Sequence, residues 1–154
     1  MAQEETRTTL LKNKKAKHDY NIIETYEAGI VLAGCEVKSL RQKDGGIIDS
    51  FAMVTKNEIL LHNLYIKPYT YTKNFQLDSR RIRKLLMHAK EIRKLIGSIK
   101  KKGQTLVPLE IYLNKRNLIK VELALVTGKK KHDKREYEKQ KDWERQKGDL
   151  LKNI

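Results

Sequence analysis

Tyr26-Glu-Ala-Gly-Ile-Val-Leu-Ala-Gly-Cys-Glu-Val-Lys-Ser-Leu-Arg41 changes its periodicity halfway along. Ile30, Val31 and Leu32 are a short apolar run with β-branched residues, which reads as a strand. Gly34 breaks the run. Val37 and Leu40 then recur at helical spacing with Lys38 and Arg41 turned outward, so a short helix follows. Asp44-Gly45-Gly46 ends it, because paired glycines leave the backbone too free to continue a helix. A strand feeding a short helix sets that helix against one end of a sheet, and the later segments read as completing the sheet.

Towards the N-terminus, Met1 to about Thr9 lacks periodicity, and residues 1–12 read as a flexible lead-in. Lys12-Asn-Lys-Lys-Ala-Lys17 is a basic cluster. His18 to Thr25 reads as a strand with Tyr20, Ile22 and Ile23 as its apolar content, and a bend over Glu24 to Glu27 then separates it from the strand at Ile30.

Towards the C-terminus, Phe51 to Val54 and Glu58 to Ile66 read as a hairpin turned at Lys56-Asn57. Lys67 to Gln76 is a loop whose Tyr69, Tyr71, Lys73 and Phe75 either touch RNA or anchor the loop. Ile82, Leu85, Leu86, Ala89, Ile92, Leu95, Ile96 and Ile99 step by threes and fours, which predicts an amphipathic helix capped at Asp78 or Ser79. Its length permits a break near His88, giving two helices. Its other face carries Arg80, Arg81, Arg83, Lys84, Lys90, Arg93 and Lys94. Thr105 to Leu113 and Leu118 to Val126 are strands joined at Asn114 to Asn117, with Pro108 suiting an edge or a bulge. From Lys129 the chain turns strongly polar and basic.

These elements give a fold that is mainly β with flanking α-helices, an antiparallel oligonucleotide-binding-type barrel over residues 13–128. Residues 129–154 are a basic C-terminal tail, expected to be disordered until it binds a partner.

A formal net charge of +15 on 154 residues asks for a polyanion, nucleic acid before an acidic membrane surface. The single cysteine, Cys35, excludes an internal disulfide and a cysteine zinc site and reads as a small buried residue. No stretch of ~20 apolar residues is present, and the polar, acidic start is not a signal peptide, so the expectation is a cytoplasmic protein without a membrane partner. No glycine-rich phosphate loop or nucleophile elbow is found, and the histidines lack metal-ligand spacing. His18-Asp19, read within a strand, points to opposite faces and makes a poor dyad. The expectation is therefore no catalytic residue, no metal and no cofactor. The readings left open by the residues are a barrel-type RNA-binding or ribosome-associated factor and a metal-dependent nuclease.

The ordered set Asn13-Lys-Lys-Ala-Lys-His-Asp-Tyr20, Tyr26-Glu-Ala-Gly-Ile-Val-Leu32, Glu36-Val-Lys-Ser-Leu-Arg41, Arg83-Lys-Leu-Leu86, Thr105-Leu-Val-Pro-Leu109, Lys120-Val-Glu-Leu-Ala124 and His132-Asp-Lys-Arg135 resembles the SsrA-binding family, bacterial small protein B. That resemblance implies a barrel that binds the tRNA-like part of tmRNA in trans-translation. Its partners would be tmRNA and small-subunit ribosomal RNA at the decoding centre and mRNA channel. Elongation factor Tu and alanyl-tRNA synthetase would be reached indirectly through tmRNA, by a monomer. The positions it implies for RNA binding are Asn13, Lys14, Lys15, Lys17, His18, Glu27, Leu86 and His88, with Lys84 beside them. For action on the ribosome it implies Gly128, Lys129, Lys130, His132, Asp133, Lys134, Arg135 and Trp143, with the tail sensing an empty mRNA channel.

Overall fold

The computed structural model describes residues 7–69, 77–101, 103–129 and 131–152, and the side chains of 131–133 and 149–152 fall outside that description. Nine strands and four helices follow one another as β1 (Thr8–Lys12), α1 (Ala16–Asp19), β2 (Tyr20–Ile30), α2 (Gly34–Arg41), β3 (Gly45–Gly46), β4 (Phe51–Thr55), β5 (Glu58–His62), β6 (Tyr65–Ile66), β7 (Arg83–Leu86), α3 (Ala89–Ile99), β8 (Gln104–Leu113), β9 (Ile119–Gly128) and α4 (Lys131–Lys152) among the described residues.

All pairings are antiparallel, and the order β4-β5-β7-β2-β9-β8 closes on itself where Ala52 of β4 meets Leu106 of β8. The result is a barrel, as the sequence predicts. β1 adds to the edge of β8 beyond that seam, pairing Thr8 with Leu113. Side chains alternate across the wall, so Ala28, Leu85, Ile111, Val121, Leu123 and Leu125 point inward and are buried, with Leu40 of α2 and Leu95 of α3 joining the same core. A second cluster, Val107, Ala124 and Val126, lies on the opposite face against Tyr20 and Leu109.

Several elements form where the sequence places them. The β4–β5 turn has positive φ at both Lys56 (50°) and Asn57 (62°), the conformation that suits the twist of a tight hairpin. The β8–β9 register shifts between Pro108 and Glu110, so the proline sits at a bulge.

Other elements differ from expectation. Residues 83–86 are a strand, not the first turns of a helix, and only Ala89–Ile99 is helical. Apolar steps of three and four at Ile82, Leu85 and Leu86 mimic a helix, yet along β7 Arg83 and Leu85 are buried while Lys84 and Leu86 are exposed. The bend expected at Glu24 to Glu27 is absent; β2 is one strand of 11 residues, with only a register shift between Ile22 and Glu24. Thr8–Lys12, read as part of a flexible lead-in, is strand β1. Cys35 is half-buried rather than buried. Residues 131–152 form helix α4, where Glu138 and Lys134 meet His18 and Asp19 of α1.

Candidate nucleic-acid interface

The candidate surface is built from two places along β2. At its N-terminal end, Asn13 is clipped to β8: its backbone N–H donates to Leu109 O at 2.8 Å and its side-chain amide to Pro108 O at 3.1 Å. Buried Ala16 pins the following turn. Lys14, Lys15 and Lys17 are left exposed around that anchor. Asn13 thus anchors the lysines that follow it.

His18 and Asp19 lie on α1, not on a strand, and are bonded, Nδ1 to Oδ1 at 3.0 Å. The other ring nitrogen meets Glu138 of α4 at 2.6 Å. Hydrogen bonds from Asp19 and then Glu138 raise the His18 pKa, since two carboxylates favour the imidazolium. Lys129 donates its backbone N–H to Asp19 O at 3.0 Å and lies over the Tyr137 ring at 3.8 Å. Lys134 is 3.7 Å from Asp19. One end of the barrel therefore gathers His18, expected to bind RNA, with Lys129 and Lys134, expected to act in the tail.

The second place lies seven residues on along β2, about 23 Å away at the rise of a strand. Because Ala28 faces the core, Glu27 and Gly29 face outward. Register then places Leu86, Gly29, Lys120 and Tyr112 in one outer row across β7, β2, β9 and β8. Leu86 is 51% exposed, and a Cβ on Gly29 would come within 3.3 Å of its Cβ. The glycine leaves that space to the leucine.

The adjacent row sets Glu27, Glu122 and Glu110 side by side. Like charges directly opposed in a sheet repel. Arg7 relieves two of them, donating from Nη2 to Glu110 at 2.5 Å and to Glu122 at 2.9 Å, and its guanidinium lies 4.3 Å from the centroid of the Tyr112 ring. Tyr112 O–H donates to Glu27 at 2.5 Å. Burial, then that bond to Glu27, pushes the Tyr112 hydroxyl pKa upward, so it stays a donor. Glu27 is exposed, and Lys115, Arg116 and Lys120 line the same groove. Such a carboxylate, held by one hydroxyl and ringed by cations, can accept a base amino group without presenting bare negative charge to phosphate.

Lys84 is exposed on β7 and pairs with Glu58 at 3.1 Å. His88, exposed, precedes α3, where its N–H donates to Glu91 at 3.3 Å. Gly128 ends β9, Arg135 is exposed, and Trp143 is 61% exposed on α4. Lys130 lies outside the described residues, as do the side chains of His132 and Asp133. Tyr71, Lys73 and Phe75 also lie outside them, while Tyr69 is half-buried with Lys38 Nζ 5.4 Å from its ring.

The sequence reading missed Arg7, Tyr112 and Glu36. Glu36 is 4% exposed and bonds both Arg81 and fully buried Arg83, whose Nη2 is 2.7 Å away. Arg83 also donates to Leu64 O at 2.6 Å and to Ser79 O at 3.2 Å. Burial alone would raise the Glu36 pKa; Arg81, the Ala33 N–H and Arg83 outweigh it and hold the carboxyl below its usual range. No local pattern announces such a charge cluster, since its members come from α2, β7 and the segment between.

Comparison with known proteins follows the same outline. The SmpB protein family matches residues 10–153. An SsrA-binding protein of Rhizobium johnstonii is 52% identical over 92% of this chain and 93% of its own. One of Rickettsia conorii is 49% identical over 96% of this chain and 97% of its own. A solved chain described as "tmRNA-SmpB: a journey to the center of the bacterial ribosome" superposes with a TM-score of 0.67 at 51% identity, covering 80% of this chain and 87% of that one.

Proposed function

Because this chain belongs to the SmpB protein family, we propose that it binds tmRNA and works with it on the ribosome in trans-translation. The observation that carries the reading is the outer row of β7, β2, β9 and β8, where exposed Leu86 and half-buried Lys120 flank Gly29 and Glu27 is held by Tyr112. A tRNA-like fold must be gripped through its backbone, 2′-hydroxyls and exposed loops. A rigid wall with one apolar contact, one oriented acceptor and several cations supplies all three kinds of contact.

The barrel, residues 13–128, takes the tRNA-like part of the RNA through Lys14, Lys15, Lys17, His18, Glu27, Lys84, Leu86 and His88. The tail, from Lys129, carries Lys134, Arg135 and Trp143 to small-subunit RNA at the decoding centre and along the mRNA channel. Beyond its first turns, the described tail side chains are almost all exposed, so most of α4 is available to a partner. Elongation factor Tu and alanyl-tRNA synthetase are met through tmRNA. The chain is an RNA-binding factor rather than a catalyst, and its place is the cytoplasm; among the described residues no helix is long and apolar enough to cross a membrane.

The test is truncation after Gly128. Affinity for a tRNA-like-domain transcript should be retained and peptide tagging lost. Tagging by the truncated chain would refute the division of labour, and equal affinity of the full chain for the transcript and bulk tRNA would refute the tmRNA reading.

A further inference from the structure

Between the end of β1, the β3–β6 pair and the segment before β7 lies an open groove of about 430 Å³. Lys12 and Lys14, at the end of β1 and in the turn after it, line it from one side and Arg80, before β7, from another; all three are exposed, and among the described residues no carboxylate lines it. Arg80 is set in place beforehand. Its Nη1 donates to Asn63 Oδ1 at 3.1 Å, and its guanidinium lies 5.2 Å from the centroid of the Tyr65 ring. Asn63 is itself fixed, donating its side-chain amide to Asp49 O at 3.1 Å.

The two glycines of β3 divide the wall between them. Gly45 lies so close to β6 that a Cβ there would be 2.6 Å from Tyr65 O, whereas a Cβ on Gly46 would meet nothing within 4 Å. Gly46 therefore borders open groove. Ile48, 42% exposed, supplies an apolar side.

We infer that this groove is a subsite for one unpaired ribonucleotide, with its base on the Arg80–Tyr65 pair beside Ile48 and its phosphate on Lys12 and Lys14. The inference rests on the RNA-binding reading above and specifies a contact within it. The volume lies in the range of small-molecule sites, ~300–1,000 Å³, well beyond what a bare phosphate fills. A guanidinium plane and an aromatic ring are the surfaces on which splayed bases stack. An acidic peptide would use the three cations but leave the ring and Ile48 without purpose.

The test uses the full chain and a tRNA-like-domain transcript substituted with 4-thiouridine. Gly46→Val, whose Cβ meets nothing within 4 Å, should narrow the groove, weaken binding by about tenfold, the scale of one lost stacking contact, and abolish photo-cross-linking to Tyr65. It should leave the salt dependence unchanged. Lys12→Ala should instead reduce the slope of log affinity against log salt by about 0.7–0.9, one phosphate contact. If Gly46→Val fails to fold, Gly46→Ala carries the test through the cross-link.

Binding of folded Gly46→Val within twofold of wild type, with the cross-link retained, overturns the subsite. So does a variant that loses only ribosome association. Oligouridylate separates this from failure of the parent reading. A wild-type chain with no preference for the transcript over bulk tRNA ends the tmRNA reading, while affinity for oligouridylate that falls on Gly46→Val still supports the groove.

Discussion

His18 of α1 and Glu138 of α4 join the barrel to the C-terminal helix, Nε2 to Oε1 at 2.6 Å, while Asp19 holds the opposite ring nitrogen at 3.0 Å. Asp19 and Glu138 bond this imidazole and the Tyr137 ring lies 6.0 Å from it, while Lys134 is 3.7 Å from Asp19 and Lys129 3.8 Å from the Tyr137 ring. The His18 pKa is raised, so the latch is complete below the ordinary value of about 6.5 and is lost as pH rises through the higher folded value. It is exposed, so salt also weakens it. Hydrogen exchange of residues 134–140 should quicken as pH rises above about 6.5, beyond the intrinsic base-catalysed rate. Glu138→Gln should flatten that excess, and a flat wild type would sink the idea.

Leu86 and Gly29 give a test of the outer row. Leu86→Ala removes a side chain that is already half in solvent, so stability should change by about 0.5–1 kcal/mol at most. Affinity for the transcript should fall several-fold. Gly29→Val, which crowds Leu86 at its Cβ, should weaken RNA binding as well. If thermal stability falls and affinity does not, the leucine is packing rather than contact.

Tyr112→Phe deletes the O–H that holds Glu27 and leaves the ring under Arg7. The expected loss of stability is about 0.5–1.5 kcal/mol. If orientation of the carboxylate matters, affinity should fall as in Glu27→Gln, and the double variant should cost no more than either single one. Full additivity in that cycle would mean the two residues act separately.

Breaking the Glu36 cluster should be far more damaging. Arg83→Met leaves buried Glu36 with Arg81 as its one cation and takes the donors from Leu64 O and Ser79 O, at a cost of up to roughly 3–5 kcal/mol. The folded-state pKa of Glu36 is depressed, so its contribution is present above the unfolded value of about 4.3 and disappears as pH falls through the lower folded one. Thermal melts of Glu36→Gln should therefore lose less stability than wild type on acidification through that window. Equal acid sensitivity would remove Glu36 from the account.

The sequence makes the β4–β5 and β8–β9 hairpins visible because each rests on neighbours. Lys56-Asn57 is flanked by matched apolar runs, and Val121, Leu123 and Leu125 alternate cleanly. β7 was hidden by Arg83: a cation at an inward position breaks the alternation unless its partner, Glu36, is known, and that partner is 47 residues away. The interface was half visible. Glu27 and Leu86 are marked by resemblance, but Arg7, Tyr112 and the open side of Gly46 emerge only when strands far apart in sequence are laid side by side.

The pairing of Tyr20 with Gly128 means that β2, among the first strands made, waits for one of the last. During synthesis its edge has no mate until almost the entire polypeptide has emerged. A copy whose own translation halts before β9 would display an unzipped margin and an outer row without Lys120, an open fragment rather than a smaller barrel.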